Sequence, residues 1–503
     1  MPETTTPPEV ILEIFQNLQS WDLRSAACCC RTFNGIARVV LFTQVHFSVY
    51  AVEHKNRKKP LALPYAALQA GKDKLAFVLS SDVVPLVRKV TLGTHVYWGH
   101  ETDQINTTDK PDPFYLKIFG SLARFIALRA IEMDRIMLPL PALSKLLVLS
   151  GLDSFTVAYT ATVQGDPNVP RGTRGPMVLS ISDRSLQPWL SLIDPERLCQ
   201  LTLKVRHVSK VLDSLPLLSN VKELTIEFPL STLSDDIAVL AKFPNVRVLD
   251  VTATGTWTSN DARRSAPKAH IPAHLDRLTL RPKPSVMHLF LPVTTATELV
   301  ICDVDKMHHL MSAFKSVKSS MAKITSLQVL AAAIVSPEDV ESILKFCPRL
   351  TEFLFREIWP MYGEVYTDES GREDDAVGDY FFPGVFLSRL DTIAFPHTLK
   401  KLYILYSSIE ASGFSADNEL EFLRGNLEAM RRMLSHKHPA LTQLFVMSDE
   451  FKYNWRRLGV PDPGRQNIWK QQGKMLEQSE FRAADKRWWT DAMDILEAAW
   501  EGR

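Results

Sequence analysis

From residue 84 onward one spacing of apolar residues keeps returning along the chain: apolar, two residues, apolar, one residue, apolar. It occurs at Val87-Val90-Leu92, Leu143-Leu146-Val148, Leu198-Leu201-Leu203, Val221-Leu224-Ile226 and Val246-Leu249-Val251. It returns at Leu275-Leu278-Leu280, Ala296-Leu299-Ile301, Ile324-Leu327-Val329, Leu350-Phe353-Phe355, Leu399-Leu402-Ile404 and Leu441-Leu444-Val446, with a weaker copy near Val178-Ile181. The last two apolar positions alternate with a polar one, which predicts a short strand buried on one face. Between residues 198 and 350 the copies start 21 to 29 residues apart, and the gaps from 143 to 198 and from 350 to 399 hold about two units each. Several strands are entered from a helix through a Pro-x-apolar step, as in KFPNVRVLDV, KFCPRLTEFLF and KHPALTQLFV. Proline stops the helix there and pushes the chain into extended backbone. SPEDVESILKF is the clearest helical half: Ser336 caps, Pro337 fills the first turn, and acids follow.

A repeat of this length and spacing resembles the leucine-rich repeats. The expected fold class is therefore α/β: an irregular leucine-rich-repeat solenoid, a right-handed α/β horseshoe, spanning 84–450. A doubly wound sheet would show long Val/Ile-rich strands closed by glycine turns. The chain has only 20 glycines and no such strands. The copies lack the regular asparagine of the standard consensus. Two segments interrupt them, a Gly/Pro loop near 165–176 and an acidic stretch at 361–380.

The first fifty residues follow a different rhythm. Pro7 and Pro8 precede an apolar stripe of Val10, Ile11, Ile14, Phe15 and Leu18 at helical spacing, with Glu9 in the first turn. Ser20 and Asp22 offer caps for a second helix that carries Leu23, Ala26, Ala27, Cys30 and Phe33. Gly35 is expected to interrupt it before a third short helix with Ile36, Ala37, Val40 and Leu41. Val45 and Phe47 read as the start of a strand. Three short helices bury too little surface to stand alone, so the unit is expected to lean on a partner or on the rest of the chain.

The segment TPPEVILEIFQNLQSWDLRSAACCCRTFNGIARVVLF resembles an F-box. It matches that family's pattern at Pro7, Glu9, Val10, Ile11, Ile14, Phe15, Leu18, Asp22, Leu23, Cys30, Arg31 and Phe33. The leading leucine of the pattern is Thr6 here. The resemblance implies docking on a Skp1-type adaptor and, through it, on a cullin-RING ubiquitin ligase. It implies that Pro7, Glu9, Val10, Ile11, Ile14, Phe15, Leu18, Leu23, Cys30 and Phe33 form the partner-binding set. The implied role is a substrate-recognition subunit whose repeats hold a target protein. A leucine-rich scaffold, or an F-box protein acting outside ubiquitination, are the alternatives. The domain layout expected is 1–48 F-box, 49–83 linker or first cap, 84–450 repeats, and 451–503 a helical C-terminal cap.

That cap is expected from Trp469, Met475, Phe481, Trp488, Trp489, Met493, Ile495, Leu496 and Trp500, which suit covering the last repeat's open core. His54-Lys55-Asn56-Arg57-Lys58-Lys59 reads as a solvated linker. Across the 503 residues, Lys plus Arg is 58 and Asp plus Glu is 57, a balance that favours neither nucleic acid nor an anionic membrane. No apolar run is long enough to span a bilayer, and MPETTTPPEV lacks the pattern of a secretory signal. Cytoplasmic or nuclear residence is expected. The six cysteines, Cys28, Cys29, Cys30, Cys199, Cys302 and Cys347, are then expected as small core residues. Three consecutive helical cysteines point about 100° apart and cannot close one tetrahedral metal site. No phosphate loop, dinucleotide fingerprint, zinc-hydrolase helix or nucleophile elbow occurs. No catalytic residue, metal or cofactor is expected.

Overall fold

Three helices open the chain in a computed structural model. It describes residues 7–53, 65–97, 113–134, 138–139, 145–146, 149, 151–158, 163–164, 175–182, 187–204, 215–229, 237–254, 271–272, 274–281, 286–304, 307–331, 337–357, 392–406, 431–447, 451–458 and 476–483. α1 (Pro8–Gln16) starts on Pro7, whose carbonyl accepts the Val10 N–H at 3.1 Å, and has Glu9 in its first turn. It ends at Asn17, whose side chain returns to the Glu13 carbonyl. α2 (Ser20–Ala27) is capped by Gln19 backbone, and α3 (Arg31–Thr43) by Cys30, whose sulfur accepts the Phe33 N–H. The helix break thus falls at Cys28–Cys30 and not at Gly35, which lies inside α3. A Cβ at Gly35 would meet nothing within 4 Å, so the glycine faces open space and costs α3 about 1 kcal/mol relative to alanine.

The chain folds as two compact units, Met1–Val246 and Arg247–Arg503. In the first, α3 runs directly into β1 (Gln44–Glu53), which pairs in parallel with β2 (Lys89–Tyr97). The expected boundary at residue 48 therefore cuts a strand. The part of 49–83 expected as a linker holds the end of β1 and a helix, α4 (Tyr65–Val78). Five more strands follow in chain order, each parallel to the one before. They are β3 (Ala130–Asp134), β5 (Ser154–Ala158), β7 (Val178–Ser182), β8 (Gln200–Leu203) and β9 (Glu223–Pro229). A separate two-residue pair, β4 (Leu138–Pro139) and β6 (Val163–Gln164), lies outside that sheet.

The second unit continues the theme. β10 (Val248–Thr254), β11 (Arg277–Arg281), β12 (Glu298–Val304), β13 (Ser326–Ala331), β14 (Glu352–Glu357), β15 (Lys401–Tyr406) and β16 (Gln443–Met447) are parallel neighbours in sequence order. Parallel neighbours require a crossover between them. Here the described crossovers vary: an α-helix at Met307–Ser316 and at Pro337–Leu344, a 3-10 turn at Gln187–Leu192, and mainly non-helical chain before β9.

The register stacks the repeated apolar pair. Leu201 stands beside Leu224 and Leu203 beside Ile226; Leu327, Phe353, Leu402 and Leu444 form one row and Val329, Phe355, Ile404 and Val446 the next. All are buried. Each such side chain contributes about 1.5–3 kcal/mol by leaving water. Two strands carry the pair at places the opening pattern passed over, Ile131-Met133 and Phe155-Val157, and the weaker copy near Val178-Ile181 is the pair Leu179-Ile181 of β7. Conversely, Leu146 of the expected copy at 143–148 sits in a helical turn and is buried, because an apolar step of three also fits a helix face.

Side chains on the turn before several strands tie one repeat to the last. Asn220 Nδ2 donates to the carbonyls of Glu196 (2.9 Å) and Pro195 (3.3 Å), and Asn245 Nδ2 to Ser219 (2.9 Å). In the second unit threonines take over. The Thr325 carbonyl accepts the N–H groups of Thr351 and Glu352 and the Thr351 hydroxyl (2.9 Å); Thr442 treats Lys400 the same way. Gly175, at the end of the segment expected as an insertion, is required by close approach: a Cβ there would strike the Leu192 carbonyl.

The described part of residues 451–503 departs from expectation. β17 (Phe451–Leu458) and β18 (Leu476–Ala483) are antiparallel strands where a helical cap was expected. FKYNWRRL alternates apolar and polar residues with period two, which is a strand pattern. Tyr453 and Trp455 are buried, and the guanidiniums of Arg431 (5.6 Å) and Arg457 (5.5 Å) each lie over the Trp455 ring. Phe481 falls in β18. Trp469, Trp488, Trp489 and Trp500 lie outside the described residues, as do the basic run 54–59, residues 165–174 and the acidic stretch 361–380.

Candidate functional site

The three N-terminal helices divide their apolar residues between two faces. Inward, Phe15, Leu23 and Ala37 form a small core, with Ile11, Leu18, Ala26, Ala27, Phe33, Ile36, Val40 and Leu41 packed against it. Phe15 and Leu23 are each 4% exposed. Phe33 meets Phe15 edge to face, with ring centroids 5.3 Å apart, a favourable quadrupole geometry. Outward, Val10 is 43% and Ile14 53% exposed on α1. Pro7, Glu9 and Cys30 are exposed too.

The implied partner-binding set therefore splits. Pro7, Glu9, Val10, Ile14 and Cys30 are accessible to a partner. Phe15 and Leu23 build the core beneath, while Ile11, Leu18 and Phe33 are half-buried against it. One exposed residue escaped the pattern reading. Trp21, in the first turn of α2, is 61% exposed, with its indole N–H bonded to the Gln19 side chain at 2.8 Å. Its only sequence signal is a bulky aromatic set between the polar Ser20 and Asp22.

The cysteines also sort by position. Cys302 and Cys347 are buried as expected, and Cys199 is half-buried. Cys28, Cys29 and Cys30 are exposed, contrary to the core assignment, because the α2–α3 junction turns outward there. Burial pushes the Cys347 thiol up to about 12. Among the described residues no group of three or more His, Cys, Asp or Glu is placed to hold a metal ion. Among the same residues no helix is long and apolar enough to cross a membrane.

The second candidate surface is the sheet face opposite the repeated apolar pairs. In the first unit it is polar. The register lines up Thr91, Glu132, Thr156, Ser180, Thr202 and Thr225, all of them partly accessible, with Lys89 paired to Glu132 at 2.7 Å. In the second unit the corresponding positions of β14–β16 are apolar and buried: Leu354, Tyr403, Leu405, Phe445 and Met447 make a second cluster. At its edge Glu352 and Lys401 form an ion pair at 2.6 Å.

Residues 7–48 match the F-box-like family model, so the chain carries an F-box-like domain over the three helices and the start of β1. No curated protein matches the chain. Among solved structures, the yeast Rad7–Elc1 complex is similar at 13% identity and a TM-score of 0.33, covering 81% of this chain and 90% of that one. The TLR13–ssRNA13 complex is similar at 11% identity and a TM-score of 0.31, covering 66% of this chain and 41% of that one. Likeness at that level carries no argument about this chain.

Proposed function

We propose that the chain is a non-catalytic substrate receptor of an SCF-type ubiquitin ligase. Its F-box docks on a Skp1-type adaptor, and its leucine-rich-repeat solenoid holds a target protein. The observation that carries this reading is the F-box-like match over residues 7–48, on a unit that leaves Val10, Ile14 and Trp21 uncovered. Apolar side chains on short helices suit a helix-in-groove contact, in which a few buried anchors supply most of the affinity. Phe15, Leu23 and Phe33 then act from below, by fixing the angle between α1 and the other two helices. The ligase supplies the chemistry elsewhere, and this chain contributes proximity and orientation. For the target, the polar sheet face of the first unit is the accessible choice; β14–β16 are filled at the matching positions.

The test is Val10→Asp with Ile14→Asp in the full chain, measured against a purified Skp1-type adaptor. Each lost anchor removes about 1.5–3 kcal/mol of burial, so affinity should fall by roughly 100-fold or more. The circular dichroism spectrum and melting temperature should stay as in the parent, because both side chains already face water. Undiminished adaptor binding would remove the docking surface from the account.

A further inference from the structure

β1 pairs with β2 on one side, and no described strand pairs with it on the other. The direction of its backbone groups follows from the junction with α3. The Arg88 N–H bonds to the Thr43 carbonyl, and Gln44 is extended, with φ −119° and ψ 130°. Successive extended residues point their N–H and C=O groups to opposite sides. Val45 and Phe47 therefore face β2, while Gln44, His46 and Ser48 turn their backbone groups toward the outer edge.

The side chains leave that edge uncovered. The Gln44 amide reaches back over β2 to the Thr91 hydroxyl at 3.4 Å. A Cβ on Gly93 would come within 3.0 Å of the His46 ring, so that ring lies over β2 as well. Edge strands are ordinarily blunted by charge, proline or a bulge. From Gln44 to Val52 the chain has no Asp, Glu, Lys, Arg or Pro. The register is regular up to Ser48 and shifts only between Ser48 and Tyr50, so Gln44–Ser48 is open to pairing. By contrast β18, which pairs with β17 alone among the described strands, carries Glu477, Glu480 and Arg482.

Charge beside β1 is positive. Lys74 of α4 sets its ammonium over the Phe47 ring, 5.8 Å from the centroid. Burial, and then Arg24 of α2, lower the proton affinity of Lys74. Burial, and then Lys74, lower that of His46, with Glu132 opposing them. Among the described residues neither Lys74 nor Arg24 forms an ion pair. Two cations thus lie within reach of each other's field with no bonded carboxylate.

We propose that the β1 edge takes an extended acidic segment of the target protein as an added strand. That the occupant is a target rests on the receptor reading above. The segment's backbone pairs with Gln44, His46 and Ser48, and its alternate side chains bring carboxylates to Lys74 and Arg24. Main-chain bonds give affinity with little regard to sequence, and the cations supply the preference for acids. His46 stands beside Thr91 in the register, so the added strand extends the polar sheet face of the first unit.

The experiment uses the full chain, alone and with a Skp1-type adaptor bound. The probe is the peptide Val-Glu-Val-Glu-Val-Glu, blocked at both ends and titrated by fluorescence anisotropy. Saturable binding is expected, with hydrogen-exchange protection added at residues 44–48. Three changes should each weaken it by roughly tenfold or more: N-methylation of the probe's backbone, lysine in place of its glutamates, and His46→Pro in the chain. His46→Pro should keep the parent's melting temperature and adaptor affinity, because the N–H it removes lies outside the β1–β2 ladder. Lys74→Gln should weaken the acidic probe by about threefold or more and leave the loss on N-methylation in place. Equal binding of the N-methylated probe, or protection centred away from residues 44–48, overturns the proposal. So does displacement of the probe by the adaptor, which would give the edge to the adaptor. A chain that binds the probe at β1 and binds no adaptor keeps the edge site and removes the receptor reading.

Discussion

Ile14 and Leu18 stand one helical turn apart in sequence, yet the fold gives them different work. Ile14 faces water, whereas Leu18 packs on the Phe15–Leu23 core. An apolar stripe in the sequence cannot separate the two, because a three-helix unit that small uses nearly every apolar residue it has. A charge at Leu18 attacks the fold; a charge at Ile14 attacks only what binds it. His438 makes a second point at this scale. It is buried, its ring edges against Phe395 at 5.5 Å, and burial, followed by the nearby Lys437, lowers its proton affinity. The unfolded chain then binds that proton more readily than the folded one. The His438 contribution is intact above the ordinary histidine range near 6.5 and is lost as pH falls below it. Melting temperature should therefore decline between about pH 7 and pH 5.5 more steeply in the parent than in His438→Gln. Parallel curves would show that the imidazole is not taking up a proton on unfolding.

At the scale of the element, the strands were legible wherever leucine filled the spacing and proline marked the entry. Leu128-Ile131-Met133 and Leu152-Phe155-Val157 have the same spacing and form β3 and β5, but their mixed side chains and lack of a proline entry hid them. Leu143-Leu146-Val148 has the spacing and puts Leu146 in a helical turn, since the first step of three satisfies both periodicities. No copy has the asparagine that the consensus places after the strand, and other side chains hold the turn before it instead. Asn220 and Asn245 hold the preceding turn, and Thr351 and Thr442 do so with hydroxyls further on. Asn220→Ala strips two carbonyls of their side-chain donor. A loss of about 1 kcal/mol is expected in urea unfolding of the full chain. An unchanged midpoint and slope would mean that water replaces the amide at no cost, and that the ladder does not bind the repeats together.

For the whole molecule, the sequence supports a helical module joined to a repeat array, and the structure shows how closely they are joined. α3 passes into β1 without a linker, and the Arg88 N–H bonds to the Thr43 carbonyl at the junction. The small module thus leans on the first sheet, as its size requires. The residues proposed for docking were readable from a dense motif, apart from Trp21, which stands alone between polar neighbours in the sequence and is 61% exposed in the fold. The target surface was not readable, because the face opposite the apolar pairs changes from hydroxyl-lined in the first unit to apolar and buried at β14–β16. The most direct test of the central claim is hydrogen–deuterium exchange on the full chain with and without a Skp1-type adaptor. The account predicts that added protection is confined to α1, α2 and the α2–α3 junction, with the repeats unchanged. No protection there, or protection centred on the strands, would contradict it.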